Sequence, residues 1–93
     1  MTTPNLARAR RALDDDLDAF ARAIIDRDPQ KLLQQAQLLI DQAAHLIALQ
    51  YGHMPPSAQH ALASANRAAA AYHFPATIRE IQYALDVTQR PKA

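Results

Sequence analysis

Residues 28–52 read DPQKLLQQAQLLIDQAAHLIALQYG, and both ends of that stretch are helix punctuation. The Asp28 carboxylate suits the free N–H groups of a first turn, and Pro29 lacks the N–H that a first turn leaves without a partner. Gly52 is placed for a left-handed C-terminal cap, and Pro55-Pro56 stop any continuation. Between these signals Leu32, Leu33, Ala36, Leu39, Ile40, Ala43, Leu46 and Ile47 recur at helical spacing and make one broad apolar face. The spacing predicts a helix over 29–51.

The same reading extends outward in both directions. Thr3-Pro4 is an N-cap with proline in the first turn, and Leu6, Leu13, Leu17, Phe20 and Ile24 step by seven, four, three and four. A first helix is expected over 4–27, turning at Asp28-Pro29 into a tight helical hairpin. Downstream, Ser57 or the prolines restart an alanine-rich helix over 56–72 with Leu62, Ala65, Ala69 and Tyr72 on one face. Pro75 marks a fourth start, because the residue before proline avoids the helical region. Phe74, Ile78, Ile81, Leu85 and Thr88 then carry a helix over 75–89, with 90–93 as a frayed tail. No strand-like alternation, internal repeat or long linker interrupts this pattern. The expected fold is all-α, a compact antiparallel bundle of four helices with short connections, in one domain spanning 1–93. Three helices with a broken last one is the alternative.

Composition narrows the function classes. Of 46 hydrophobic residues 21 are alanine, so only 25 carry a larger apolar side chain. With no cysteine, the 93-residue chain has no disulfide scaffold, no Cys-ligated zinc and no thiol nucleophile. One glycine is too few for GxGxxG or P-loop phosphate cradles, which need close backbone approach. No apolar run approaches the ~20 residues that cross a bilayer. The first 13 residues contain arginine and no acid, as transit peptides do, but Asp14–Asp16 follow at once and no secretory apolar segment is present. The expectation is a cytoplasmic protein.

Charge is unevenly placed. Residues 1–28 hold five arginines and six aspartates, while residues 29–78 hold only Lys31, Asp41 and Arg67. Arg8, Arg11, Asp15, Arg22 and Asp26 fall opposite Leu13 and Leu17, which reads as a solvated face with i,i+4 pairs such as Arg11–Asp15 and Asp18–Arg22. The second helix carries Gln34, Gln37, Gln42 and His45 where an ordinary surface helix is charged. It also has a second apolar line, since Leu38, Gln42, His45 and Leu49 are spaced four, three and four. A helix apolar on two sides is either central in its own fold or covered by another chain. No helix is expected to be central in so small a bundle, so Leu38 and Leu49 are expected to face a partner. The plainer reading is two isolated apolar surface residues, which are common.

The chemistry-bearing patterns are sparse. Asp14-Asp15-Asp16-Leu17-Asp18 matches the DDxxD arrangement that holds magnesium and diphosphate in prenyl-transfer enzymes. That chemistry also needs a large apolar cavity and a second acidic motif on a facing helix, and this chain has room for neither. His45, His53, His60 and His73 include no pair at i,i+3 or i,i+4, so no helix presents a two-histidine metal edge. Asp41 and His45 share a face without a serine or cysteine nucleophile close in sequence. His53 beside Gly52 is placed to cap the carbonyl end of the second helix. No cofactor, metal or small-molecule substrate is implied, and the chain reads as a non-enzyme.

Ala68 to Leu85 resembles a helix-turn-helix unit, with small residues, then Tyr72-His73-Phe74, then Thr77, Ile78 and Arg79 on a helical period. The resemblance implies a DNA-binding module over residues 60–90. Thr77, Arg79 and Gln82 would meet bases or phosphates, and Arg90 and Lys92 would reach the backbone. Residues 55–93 carry a net charge of +2, and Tyr72 and His73 stand where such turns usually have glycine. The leading expectation is instead a regulator, adaptor, inhibitor or chaperone-like module that docks another protein or a second copy of itself as a homodimer. Its expected interface is Leu38, Gln42, His45 and Leu49, with Tyr83 and Val87 as a lesser pair.

Overall fold

The computed structural model describes residues 6–89, which form four helices: α1 (Leu6–Ala23), α2 (Pro29–Tyr51), α3 (Pro56–Ala70) and α4 (Phe74–Gln89). No strand occurs among the described residues. The fold is the expected all-α four-helix bundle. Thr3, Pro4 and the expected tail at 90–93 lie outside the described residues.

The capping signals of α2 act as the sequence predicts. Asp28 is extended (φ −54°, ψ 130°), Pro29 occupies the first turn, and the Gln30 N–H donates to the Asp28 carboxylate at 3.3 Å. Gly52 takes the left-handed conformation at φ 76° and its N–H donates to the Ala48 carbonyl at 2.7 Å. The His53 Nδ1 lies 3.2 Å from the Tyr51 carbonyl, so the imidazole does close the end of this helix. In contrast α3 starts without a side-chain cap, on Pro55 and Pro56 alone.

Two boundaries differ from expectation by more than one residue. α1 stops at Ala23 rather than 27, because the chain must reverse before an Asp28 that Pro29 holds extended. The N–H groups of Asp26 and Arg27 both return to the Ala23 carbonyl, at 3.2 and 2.9 Å, and leave Ile25 88 % exposed. α3 stops at Ala70, so Tyr72 leaves the helical face expected for it and is half exposed. Tyr72 has φ 63°, while its N–H donates to the Ala69 carbonyl and the His73 N–H to the Ala68 carbonyl. This is a Schellman turn with tyrosine in the left-handed position that glycine ordinarily takes.

The core follows the predicted stripes. Leu13, Leu17 and Phe20 of α1 meet Leu32, Leu39, Leu46 and Ile47 of α2, Leu62 of α3, and Phe74, Ile81 and Leu85 of α4. Alanines at 36, 43, 58, 61, 65, 69 and 84 are buried as well, and their small volume lets the helices approach closely. Thus much of the alanine surplus is core. α2 packs against each of the other three helices, while α1 touches α2 and α4 and not α3. α2 and α4 each pack against all three other helices, and these neighbours cover most of the apolar surface of α2. Leu38 and Leu49 are the exceptions.

Candidate functional site

α2 turns about 100° per residue, so Leu38, Gln42, His45 and Leu49 fall within one narrow stripe. All four are exposed, Leu38 at 61 % and Leu49 at 49 %. Lys31 and Asp41 are exposed on the same side of the helix. The half-buried Leu33, Ile40 and Ala44 lie on another side, packed on the core. The leucines of the stripe remain open to solvent.

Beside the stripe runs a groove of ≈ 250 Å³ between α1 and α2. Its α2 wall is Gln42, His45, Leu46 and Leu49, and its α1 wall is Ala9, Ala12, Leu13 and Asp16. The groove exists because Ala9 and Ala12 put methyl groups where larger residues would fill the gap between helices. Together the stripe and the groove form one continuous apolar strip edged by amide, imidazole and carboxylate groups. Such a strip can seat side chains from a helix laid along it and can fix register by hydrogen bonds. Sequence reasoning missed the α1 wall. An alanine at positions 9 and 12 also serves helix propensity, and nothing in a one-dimensional pattern separates the two roles.

Tyr83 and Val87 do not join this surface. Tyr83 is exposed at 56 % beside a groove lined by Ser57, His60, Ser64 and Glu80, between α3 and α4. Val87 is only half-exposed. The lesser pair is thus a separate place on the molecule.

The positions read as nucleic-acid contacts divide. Arg79 and Gln82 are exposed on α4. Thr77 is fully buried, and its hydroxyl donates to the His73 carbonyl at 3.0 Å, so it meets no base edge in this conformation. It serves the core, where a back-bonded hydroxyl is satisfied by its own helix. Arg90 and Lys92 lie outside the described residues.

Two aspartates of the acidic run are engaged by arginines. Asp14 is held by the Arg10 Nε at 3.0 Å, and Asp18 by Arg22 at 2.5 Å. The expected Asp18–Arg22 pair forms, whereas Arg11–Asp15 is replaced: the arginine that finds an aspartate one turn on is Arg10, not Arg11. Arg10 also reaches Asp86 of α4 at 3.6 Å with its side chain only 18 % exposed, tying α1 to α4. Among the described residues no three histidine or acidic side chains are grouped to hold a metal ion, and no helix is long and apolar enough to cross a membrane.

A helical bundle with an unfilled apolar strip is the class that fold and surface define. No protein-family model, no curated protein and no solved structure matches this chain.

Proposed function

We propose that this chain is a small non-catalytic helical module of the regulator, adaptor, inhibitor or chaperone kind, which works by docking another polypeptide on the outer face of α2. The observation that carries this reading is the pair Leu38 and Leu49. Both are large, both are about half or more exposed, and both stand on a helix that is otherwise packed against its three neighbours. A chain with 25 larger apolar residues places two of them outside its own core beside a groove floored by alanines. Burying such residues against a partner is favourable by roughly 25 cal/mol per Å² of apolar surface removed from water.

The nucleic-acid alternative has less support. It loses Thr77 to the core, and Asp86 shares the exposed side of α4 with Arg79 and Gln82. An acidic group on that side opposes phosphate approach.

The test compares the wild-type chain with the double variant Leu38→Glu/Leu49→Glu. Complexes formed in solution are read by light scattering, and those formed with proteins of its own host by co-purification. Loss of the wild-type complexes in the double variant supports the reading. Identical complexes from both chains overturn it.

A further inference from the structure

We propose that the partner on this face is a second copy of the same chain, laid antiparallel across α2 about a two-fold axis passing between Ala43 and Ala44. The proposal rests on the association reading above and names the occupant that reading leaves open.

A two-fold interface requires a surface complementary to itself, so that when position i meets position j, j also meets i. The stripe has that property. Its spacing of four, three and four is the same read from either end, with a leucine at each end and hydrogen-bonding side chains between. Placed about the axis, Leu38 of each copy opposes Leu49 of the other, and the two central positions, Gln42 and His45, oppose each other. Leu38, set against Leu49, also meets the shallow groove that Ala9 and Ala12 leave beside it.

The charges agree with this alignment. Asp41 and Lys31 are the only formal charges on α2. Asp41 and His45 lie on the same flank of the stripe, and antiparallel pairing brings each Asp41 carboxylate to within one residue of the other copy's His45. An imidazole N–H donor then faces a carboxylate twice, once on each side of the axis. The exposed Lys31 lies about two turns before Leu38 on the same side. The axis sets it level with position 56 of the other copy, beyond the end of α2, so the two Lys31 ammonium groups are kept far apart. A parallel arrangement would instead place each Asp41 and each Lys31 beside its own counterpart.

The absence of native cysteine permits a direct test. Leu38→Cys and Leu49→Cys are made as separate variants, both at exposed positions, and oxidised alone and as a mixture. In the proposed dimer positions 38 and 49 of different copies are neighbours, whereas two copies of position 38 lie about 16 Å apart along the axis. A disulfide bridges Cα atoms only up to about 7 Å apart. The expected result is a mixed disulfide dimer in the mixture and none from either variant alone. Sedimentation of the wild-type chain is expected to rise from 10.3 kDa toward twice that mass as concentration approaches about 1 mM.

Self-disulfides of Leu38→Cys matching or exceeding the mixed product overturn the antiparallel pairing. A chain that stays at 10.3 kDa and forms no cross-link overturns the second copy as occupant. In that event, loss of a different protein's binding in Leu38→Glu/Leu49→Glu leaves the association reading intact. Unchanged binding in that variant removes both.

Discussion

The ring of Phe20 on α1 meets the ring of Phe74 on α4 edge to face, with centroids 5.7 Å apart and planes at 90°. Phe20 is fully buried and Phe74 nearly so, which makes the pair, with Arg10–Asp86, a link between two helices that otherwise touch lightly. Phe20→Ala removes the ring and leaves a cavity, at a cost of about 3–5 kcal/mol. That is a large part of the stability of a small domain. Phe20→Leu retains most of the volume and loses the aromatic contact, at about 1–2 kcal/mol. Thermal unfolding checks both, at roughly 4–8 °C per kcal/mol for a domain of this size.

The far ends of α2 and α4 are joined differently. The Tyr51 hydroxyl donates to the main-chain carbonyl of Thr88. That carbonyl lies in the last described turn of α4. Tyr51→Phe leaves the carbonyl without this donor, and a loss of about 1 kcal/mol in chemical denaturation is expected. Amide exchange in the last turn of α4 should rise more than exchange in α1.

Tyr72 is a tyrosine held at φ 63°. A left-handed backbone costs an ordinary residue about 1–2 kcal/mol, and glycine almost nothing. Tyr72 also packs edge to face on Phe74 with centroids 5.9 Å apart, a contact of about 0.5–1.5 kcal/mol. Tyr72→Gly relieves the first and loses the second, so stability should stay within about 1 kcal/mol of wild type. Tyr72→Ile loses the contact and puts a β-branched side chain where the backbone disfavours it. It should be the less stable variant by at least about 1 kcal/mol in the same denaturation series.

Leu38 and Leu49 make little contribution to the fold itself. Leu38→Glu/Leu49→Glu should unfold within about 0.5 kcal/mol of a monomeric wild-type reference at low concentration. A loss of several kcal/mol would place these side chains in the core and contradict their exposure.

The sequence announces some of this architecture plainly and conceals the rest. The limits of α2 are legible because Asp28, Pro29 and Gly52 each have one strong backbone preference, and each takes it. The open stripe is legible because Leu38 and Leu49 break the three- and four-residue rhythm of the core face. The end of α1 is not, since Ile24 continues the apolar period one residue beyond the point where the chain has to turn. Tyr72 is not either, because a bulky aromatic in the left-handed region contradicts local preference and is held there by the turn and by Phe74. The wall made by Ala9 and Ala12 is invisible for another reason. It becomes a feature only when α2 lies beside it.

The most direct test of the association surface is a map of backbone amide shifts in the isotope-labelled chain across a dilution series. The account predicts concentration-dependent shifts confined to the outer face of α2 around Leu38, Gln42, His45 and Leu49 and to Ala9, Ala12 and Asp16 of α1. Shifts centred instead on His60, Tyr83 and the α3–α4 groove would contradict this surface, and none at any concentration would contradict self-association through it.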